Sequence, residues 1–225
     1  MKRALNYPNR RFGLVTIILI ICAGLVYWEL GYGLPDDGGF AWDEPIMLAL
    51  YSLRQPWLDS FFLFVTRTGD ILIVIPALAM SVYLWRCSER ITAVVYVVTV
   101  IAFPLISLVL KDEFARARQE IISPLTVEHT YSFPSGHSLT AVAVYGFAAV
   151  LLWQRGHRVL ALLAGFWVFM IGLSRVYLGA HYPSDVVASY AAGTILLIIV
   201  LFIDRWLNDR FGQKNNQEAE PSPQR

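Results

Sequence analysis

The chain has 225 residues, of which 56% are hydrophobic and 16% are charged, and its net charge is +1. A mean hydropathy of +0.53 excludes an ordinary soluble domain, because such domains are markedly less apolar. The balanced charge gives no reason to expect general affinity for nucleic acid, so we expect no nucleic-acid partner.

The chain begins with a basic segment, residues 1–13, followed by an apolar run over residues 14–30. That run is long for a cleaved signal peptide, and no cleavage site with small residues stands out. We therefore interpret it as a first, uncleaved membrane span and residues 1–13 as a cytoplasmic N-terminus.

Five further apolar runs are close to the length that crosses a bilayer, about 20 residues. They cover residues 71–85, 91–110, 137–153, 159–173 and 186–203. Residues 42–65 are apolar but interrupted by charged residues and proline, which favours one or two interfacial helices. The alternative is an additional span, which would reverse the topology of everything after it.

The distribution of charge favours six spans over seven. With the N-terminus inside, the inner segments carry twelve of the 18 Lys and Arg residues and five of the 17 Asp and Glu residues. This is the positive-inside pattern of a multi-pass cell membrane protein with both termini in the cytoplasm. The membrane domain covers residues 14–206. Residues 207–225 form a cytoplasmic tail, predicted to be disordered because it is polar and contains proline.

Three polar groups stand where this topology reaches the outer side of the membrane. The first covers residues 111–118. If the third helix continues past the membrane, Lys111 and Arg118 are seven residues apart and share a face, whereas Arg116 points away. The two cations could then hold one anion, although a solvated basic helix end is the simpler interpretation.

The second group is Ser-Phe-Pro-Ser-Gly-His-Ser at residues 132–138. Ser135 and Gly136 stand at the start of a helix, where free backbone N–H groups and the helix dipole favour an anion. His137 stands at the same place. A capped helix start with a terminal histidine is the simpler interpretation.

The third group lies between the last two spans. Arg175 ends an apolar run, where a charge is unfavourable unless it is paired or used. His181 and Asp185 are four residues apart, so on a helix they share a face, and Asp185 can fix the tautomer of His181. The simpler interpretation is a structural His–Asp pair that seals the helix end.

Together the groups place two histidines, three cations and one carboxylate on one membrane face. No cluster has the several carboxylates of a magnesium site or the three ligands of a catalytic zinc site. We therefore expect no metal and no cofactor, with fixed cations neutralising the charge of a phosphate. This arrangement suits phosphoryl transfer through a covalent phosphohistidine.

The pattern Lys111-x6-Arg118, Pro134-Ser-Gly-His137 and Ser174-Arg175-x5-His181-x3-Asp185 resembles the three-part signature of the type 2 phosphatidic acid phosphatase (PAP2) superfamily. That superfamily includes lipid phosphate phosphatases, bacterial undecaprenyl-diphosphate phosphatases, glucose-6-phosphatase and vanadium haloperoxidases. The resemblance covers residues 111–185 and implies an all-α polytopic membrane protein. We expect six transmembrane helices with a PAP2-type helical core, and interfacial helices between the first two spans. One departure is Gln119, where the family usually has proline.

The resemblance also implies roles for the site residues. His181 is the nucleophile, Asp185 orients it, and His137 is the general acid and then the general base. The phosphate oxygens are bound by the remaining residues of the signature, namely Lys111, Arg118, Ser135, Gly136 and Arg175.

Our leading hypothesis is a membrane phosphatase that hydrolyses a lipid phosphate or polyprenyl diphosphate on the periplasmic or extracellular side. Undecaprenyl diphosphate and phosphatidylglycerophosphate are the first candidates. One alternative is a lipid phosphotransferase that uses the same pocket. A second is a vanadium haloperoxidase, against which the six spans argue. A third is a non-catalytic lipid-binding or transport protein.

Overall fold

The computed structural model describes residues 10–33 and 39–211. The predictions for residues 1–9 and 212–225 therefore concern parts of the chain outside this description. Within the described residues the backbone forms α-helices, one 3₁₀ turn and one π-helical segment, joined by irregular segments. The predicted all-α class is confirmed.

The helices follow the predicted apolar runs, with boundaries shifted by a few residues. In chain order they are α1 (Arg10–Tyr32), α2 (Asp43–Ser52), α3 (Pro56–Arg67), the 3₁₀ turn Ile71–Ile73, α4 (Val74–Arg86), α5 (Arg90–Phe114), α6 (Gly136–Ala141), the π segment Val142–Gly146, α7 (Phe147–Gln154), α8 (Arg158–Tyr177) and α9 (Pro183–Phe211). Helices α6 and α7 join through the π segment into one helix, Gly136–Gln154.

By length and composition, four helices in the described part of the chain can cross a membrane. They are α5, the joined helix Gly136–Gln154, α8 and α9. Ile71–Arg86 meets the same test only together with α3, from which it is bent by 52°. The chain is therefore a multi-pass membrane protein with four or five candidate spans. Six spans stay a prediction, because Thr16–Tyr32 falls below the length required.

The core lies where α4, α5, the joined helix and α9 meet, and its largest members include Tyr96, Phe103 and Phe147. Helix α1 packs along α9, and α8 packs against α7 and α3. Since lipid is as apolar as these side chains, close packing rather than exclusion of water holds such helices together. The result is a bundle in which α5 and α8 end close to where α6 and α9 begin.

Helix α5 does not continue to Arg118, so the predicted shared helical face of Lys111 and Arg118 is wrong. The helix ends at Phe114, and Ala115 adopts the left-handed conformation, with φ of 43°. From there the chain folds back, and the N–H of Ser132 donates to the carbonyl of Arg116 at 2.9 Å. Arg116, expected to point away, turns inward because buried carboxylates lie there to receive it.

Candidate active site

His181 and Asp185 form a buried pair at the junction of α8 and α9. Nδ1 of His181 lies 3.4 Å from Oδ2 of Asp185, and at most 2% of either side chain is exposed. His181 precedes α9, which begins at Pro183, so the pair forms across the helix start rather than on one helical face as predicted. A carboxylate can only accept, so this contact places the imidazole proton on Nδ1 and leaves the lone pair on Nε2.

Burial lowers the pKa of His181 to about 4, although the hydrogen bond and charge of Asp185 act in the opposite direction. The charges of Arg175 and Lys111 act in the same direction as burial, and the value of about 4 includes all of these effects. The imidazole is consequently neutral near pH 7 and keeps its lone pair available for attack.

Further donors fix the carboxylate of Asp185 in one orientation. Oδ2 accepts from Oγ of Ser132 at 2.5 Å and from the N–H of Tyr182 at 3.1 Å. Oδ1 accepts from Nη1 of Arg116 at 2.5 Å. Because both carboxylate oxygens accept hydrogen bonds from these groups, Asp185 is fixed in place and can hold the imidazole of His181 in a defined direction.

The three predicted cations lie close enough to one another to interact electrostatically. Lys111 interacts with the charges of Arg118, Arg175 and Asp185, and its ammonium group donates to the carbonyl of Tyr131. Arg118 donates to the carbonyl oxygens of Ala180 at 2.5 Å and Thr130 at 2.8 Å. The expected gathering of positive charge is thus present, although the folded-back chain produces it rather than helical periodicity.

Arg175 is almost fully buried, and two of its nitrogens are bonded to side chains. Nη1 donates to Oγ1 of Thr66 at 2.6 Å, and Nη2 donates to Oε1 of Glu128. Its Nε–H is buried with no hydrogen-bond partner among the described residues. A buried guanidinium N–H of this kind can donate a hydrogen bond to an anionic ligand that enters the site.

Glu128 lies against two of the three cations. Besides its bond to Arg175, its Oε2 is 4.0 Å from Nη2 of Arg118. Burial alone would raise the pKa of Glu128, but the Arg175 charge and hydrogen bond, with the charges of His181 and Arg118, lower it below its usual value. An ionised carboxylate therefore occupies the cradle formed by Arg175 and Arg118.

The second predicted group lies beside the same cluster. Ser135 precedes the first turn of α6 and accepts from Oγ of Ser138 at 3.0 Å. A Cβ on Gly136 would lie 3.2 Å from Oγ of Ser107, so a side chain there would crowd α5. His137 is within electrostatic range of all three cations and of His181. The first N–H groups of α6 have no acceptor within the helix.

Gln119 replaces the family's proline and bridges two loops. Its buried side-chain amide donates to the carbonyls of Gly179 at 2.6 Å and Ile122 at 3.0 Å, and its Oε1 accepts from the N–H of Ile122 at 3.0 Å. Gly179 has φ of 75°, a conformation that favours glycine. The Gln119 side chain thereby ties the segment after Arg118 to the loop that carries His181.

Sequence reasoning missed three charged residues of this region, Asp43, Arg116 and Glu128. Arg116 lies in the predicted basic group, but a continuous helix would point it away from Lys111 and Arg118. Asp43 begins α2, and Glu128 lies in an irregular segment, so neither has a periodic pattern that points to the site. One available signal was the position of both acids on the outer side of the predicted topology.

Comparison with known proteins identifies the family of this chain. Residues 92–209 match the PAP2 superfamily. Phosphatidylglycerophosphatase B of Bacillus subtilis (strain 168) is 30% identical over 181 residues, which cover 76% of this chain and 87% of that protein. A putative undecaprenyl-diphosphatase, YbjG of Escherichia coli (strain K12), is 31% identical over 166 residues, covering 68% and 79% of the two chains.

Two solved structures share the fold. A transmembrane PAP2 type phosphatidylglycerolphosphate phosphatase from Bacillus subtilis superposes with a TM-score of 0.76 at 26% identity, over 84% of this chain and 96% of that one. LpxE of Aquifex aeolicus gives a TM-score of 0.59 at 23% identity, over 73% and 97%. The chain therefore belongs to the PAP2 superfamily and is a membrane phosphatase.

Proposed function

We propose that this protein hydrolyses a lipid phosphate monoester or a polyprenyl diphosphate through a phosphohistidine on His181. The observation that carries the proposal is the gathering of three cations around a buried His–Asp pair at one end of a membrane bundle. Relatives named for phosphatidylglycerophosphate, undecaprenyl diphosphate and lipid A support a lipid substrate. The first two of these substrates are the leading candidates.

In the first step Nε2 of His181 donates its lone pair to phosphorus, and the bond from phosphorus to the leaving oxygen breaks. The negative charge of the bound phosphate favours the protonated form of His137 among these cations, and His137 gives its proton to that oxygen. The lipid therefore leaves as an alcohol or as a monophosphate. Asp185 stabilises the positive charge that develops on the phosphorylated imidazole, because its carboxylate accepts a hydrogen bond from Nδ1–H.

In the second step His137, now neutral, takes a proton from water. The resulting hydroxide attacks phosphorus, the P–N bond breaks, and inorganic phosphate leaves with the lone pair restored on Nε2 of His181. His137 ends the cycle protonated, as it began. The balance of protons requires one group that acts first as an acid and then as a base, which is the role assigned to His137.

The cations stabilise the charge on the oxygens of the phosphoryl group that is being transferred. In phosphoryl transfer this charge is spread over three oxygens, and fixed positive groups lower the barrier without chemistry of their own. Lys111, Arg118 and Arg175 supply them, and the buried Nε–H of Arg175 gains an acceptor when phosphate binds. Ser135 and the Gly136 N–H, at the start of α6, are assigned as further donors to the same oxygens.

The test is release of inorganic phosphate by purified protein from a panel of lipid phosphates, in the presence of EDTA. We expect turnover of at least one candidate, and loss of it in His181→Ala and His137→Ala. His157→Ala is the matched control, because His157 is exposed at the start of α8 and is not part of the site. Full activity in His181→Ala would exclude the mechanism, and an acceptor-dependent phosphorylated product would identify a transferase.

The outward-facing site belongs to the same proposal, with six spans and both termini in the cytoplasm. It predicts that an impermeant maleimide labels Val127→Cys in intact cells but labels His157→Cys only after permeabilisation, with Cys22 and Cys87 replaced by alanine. Val127 is 83% exposed on the site side of the bundle. The reverse labelling pattern would invert the topology.

A further inference from the structure

We propose that Asp43 is a positioning residue of this site, acting through Arg116 on the carboxylate that orients His181. The inference rests on the proposed function, in which His181 attacks phosphorus. Asp43 belongs to α2, far from the three motif groups in the chain, and Arg116 occupies one of the positions that the signature leaves unspecified between Lys111 and Arg118.

The first observation is a guanidinium group shared between two buried carboxylates. Nη1 of Arg116 is 2.5 Å from Oδ1 of Asp185, and Nη2 is 3.4 Å from Oδ2 of Asp43. Arg116 is 5% exposed and Asp43 is 1% exposed. Charges this deeply buried are unfavourable unless they are paired, and the planar guanidinium holds both partners in fixed directions.

The second observation is that Asp43 also holds the first turn of α9. Its Oδ1 accepts from the N–H of Ser184 at 2.8 Å, and its Oδ2 accepts from the hydroxyl of Ser184 at 2.7 Å. Nη1 of Arg116 donates to the same hydroxyl at 2.9 Å. Asp185 is the next residue of that turn, so Asp43 restrains both its backbone and its Oδ1 contact.

The third observation concerns the ring below the guanidinium. Arg116 lies over the ring of Tyr182, 4.0 Å from its centroid, and the N–H of Tyr182 donates to Oδ2 of Asp185 at 3.1 Å. The guanidinium is therefore confined by two carboxylates and one aromatic face. Such outer contacts set the direction and basicity of the group that touches the reacting residue.

When the charge of Asp43 is removed, no second carboxylate offsets the positive charge of Arg116, and that charge acts in full on Asp185. Asp185 is then less able to stabilise positive charge on His181, and the orientation of the imidazole is less restrained. The three phosphate-binding cations are unchanged. A lowered kcat with little change in KM is therefore the expected signature.

The decisive variant is Asp43→Asn, whose side-chain carbonyl can still accept from Ser184 while the charge facing Arg116 is lost. We expect kcat to fall about tenfold, the lower end of the range for losing a group that orients a reacting ligand, with KM nearly unchanged. Asp43→Glu should recover part of the loss. Glu44→Gln, an exposed neighbour on the same helix, is the matched control and should behave as the parent protein.

The pH profile separates positioning from support of the fold. His181 faces Asp185, Arg175, Lys111, His137 and Glu128. Losing the negative charge of Asp43 makes protonation of His181 less favourable, so the acid limb of kcat should move to lower pH in Asp43→Asn. The losses from Asp43→Asn and Arg116→Gln should not multiply in the double variant, because one acts through the other.

If Asp43→Asn has the same kcat and the same acid limb as the control Glu44→Gln, the proposal is overturned. Losses that multiply in the double variant would also overturn it, as would a loss explained fully by a smaller folded fraction in thermal unfolding. If the parent protein releases no phosphate from any lipid, the proposed function fails instead.

Discussion

Replacing Glu128 by glutamine should tighten the binding of phosphate-like anions. Its carboxylate contacts Arg175 and lies 4.0 Å from Arg118, in the cradle that a substrate phosphate needs. Phosphate must therefore displace this carboxylate before it can bind both guanidinium groups. Glutamine can still donate and accept hydrogen bonds there but does not compete by charge.

The expected magnitude follows from the geometry. Opposite charges 4 Å apart attract by about 4 kcal/mol at an effective dielectric near 20. Much of this attraction is offset when phosphate displaces Glu128, because the Glu128 side chain is already 24% exposed and becomes hydrated again. A hydrogen bond to a charged group contributes about 1.5–3 kcal/mol net. We take the lower end, which corresponds to roughly tenfold tighter binding.

The assay is inhibition of phosphate release by orthovanadate, a phosphate mimic, in the parent protein and in Glu128→Gln. We expect the inhibition constant to fall about tenfold. Glu120→Gln is the control, because Glu120 is exposed in the same segment. An unchanged or higher inhibition constant in Glu128→Gln would refute the idea that this carboxylate competes with phosphate.

Three further outcomes are expected. His137→Ala should accumulate acid-labile phosphate on His181 during a single turnover of an aryl phosphate, because that leaving group needs no general acid while water activation is lost. Absence of the adduct in quenched samples would argue against the role of His137 as the base. The pKa of His181 is about 4, and only the neutral imidazole attacks phosphorus. We therefore expect kcat/KM, corrected for substrate ionisation, to decrease only when the pH drops below about 4, and not near the usual histidine pKa of about 6.5. A midpoint at about pH 6.5 would contradict the argument that burial lowers this pKa. Gln119→Ala should lower stability by about 2 kcal/mol, because buried partners are left unpaired, as judged by thermal unfolding against Gln154→Ala, an exposed control.

Most helices could be predicted because their signals are local. An apolar run of sufficient length specifies a helix in lipid wherever its neighbours lie, since backbone groups must pair within the segment. Counting spans then placed the groups at 111–118, 132–138 and 174–185 at the same end of the bundle, where the structure also brings them together. The prediction was weakest over residues 56–86. There α3 and Ile71–Arg86 form a bent pair, and neither helix is long and apolar enough to count as a membrane span by itself.

The local argument failed where the chain leaves a helix. Helical periodicity selected Lys111 and Arg118 and dismissed Arg116, but Ala115 ends α5 in a left-handed conformation. Where a helix ends depends on which partners the next residues find. Here those partners are Asp43 and Asp185, which lie 73 and 69 residues from Arg116 in the chain.

By itself, the sequence determined the all-helical membrane class, the family and the set of residues that we propose for phosphoryl transfer. The length of an apolar run and the residues of a short motif are local features of the chain, and they can be interpreted without knowing any tertiary contact. The tertiary structure decided which charges face one another: Glu128 on the cations, Arg116 between two carboxylates, and Gln119 across two loops. These contacts join residues far apart in the chain, and an electrostatic interaction depends on distance and burial that no local pattern specifies.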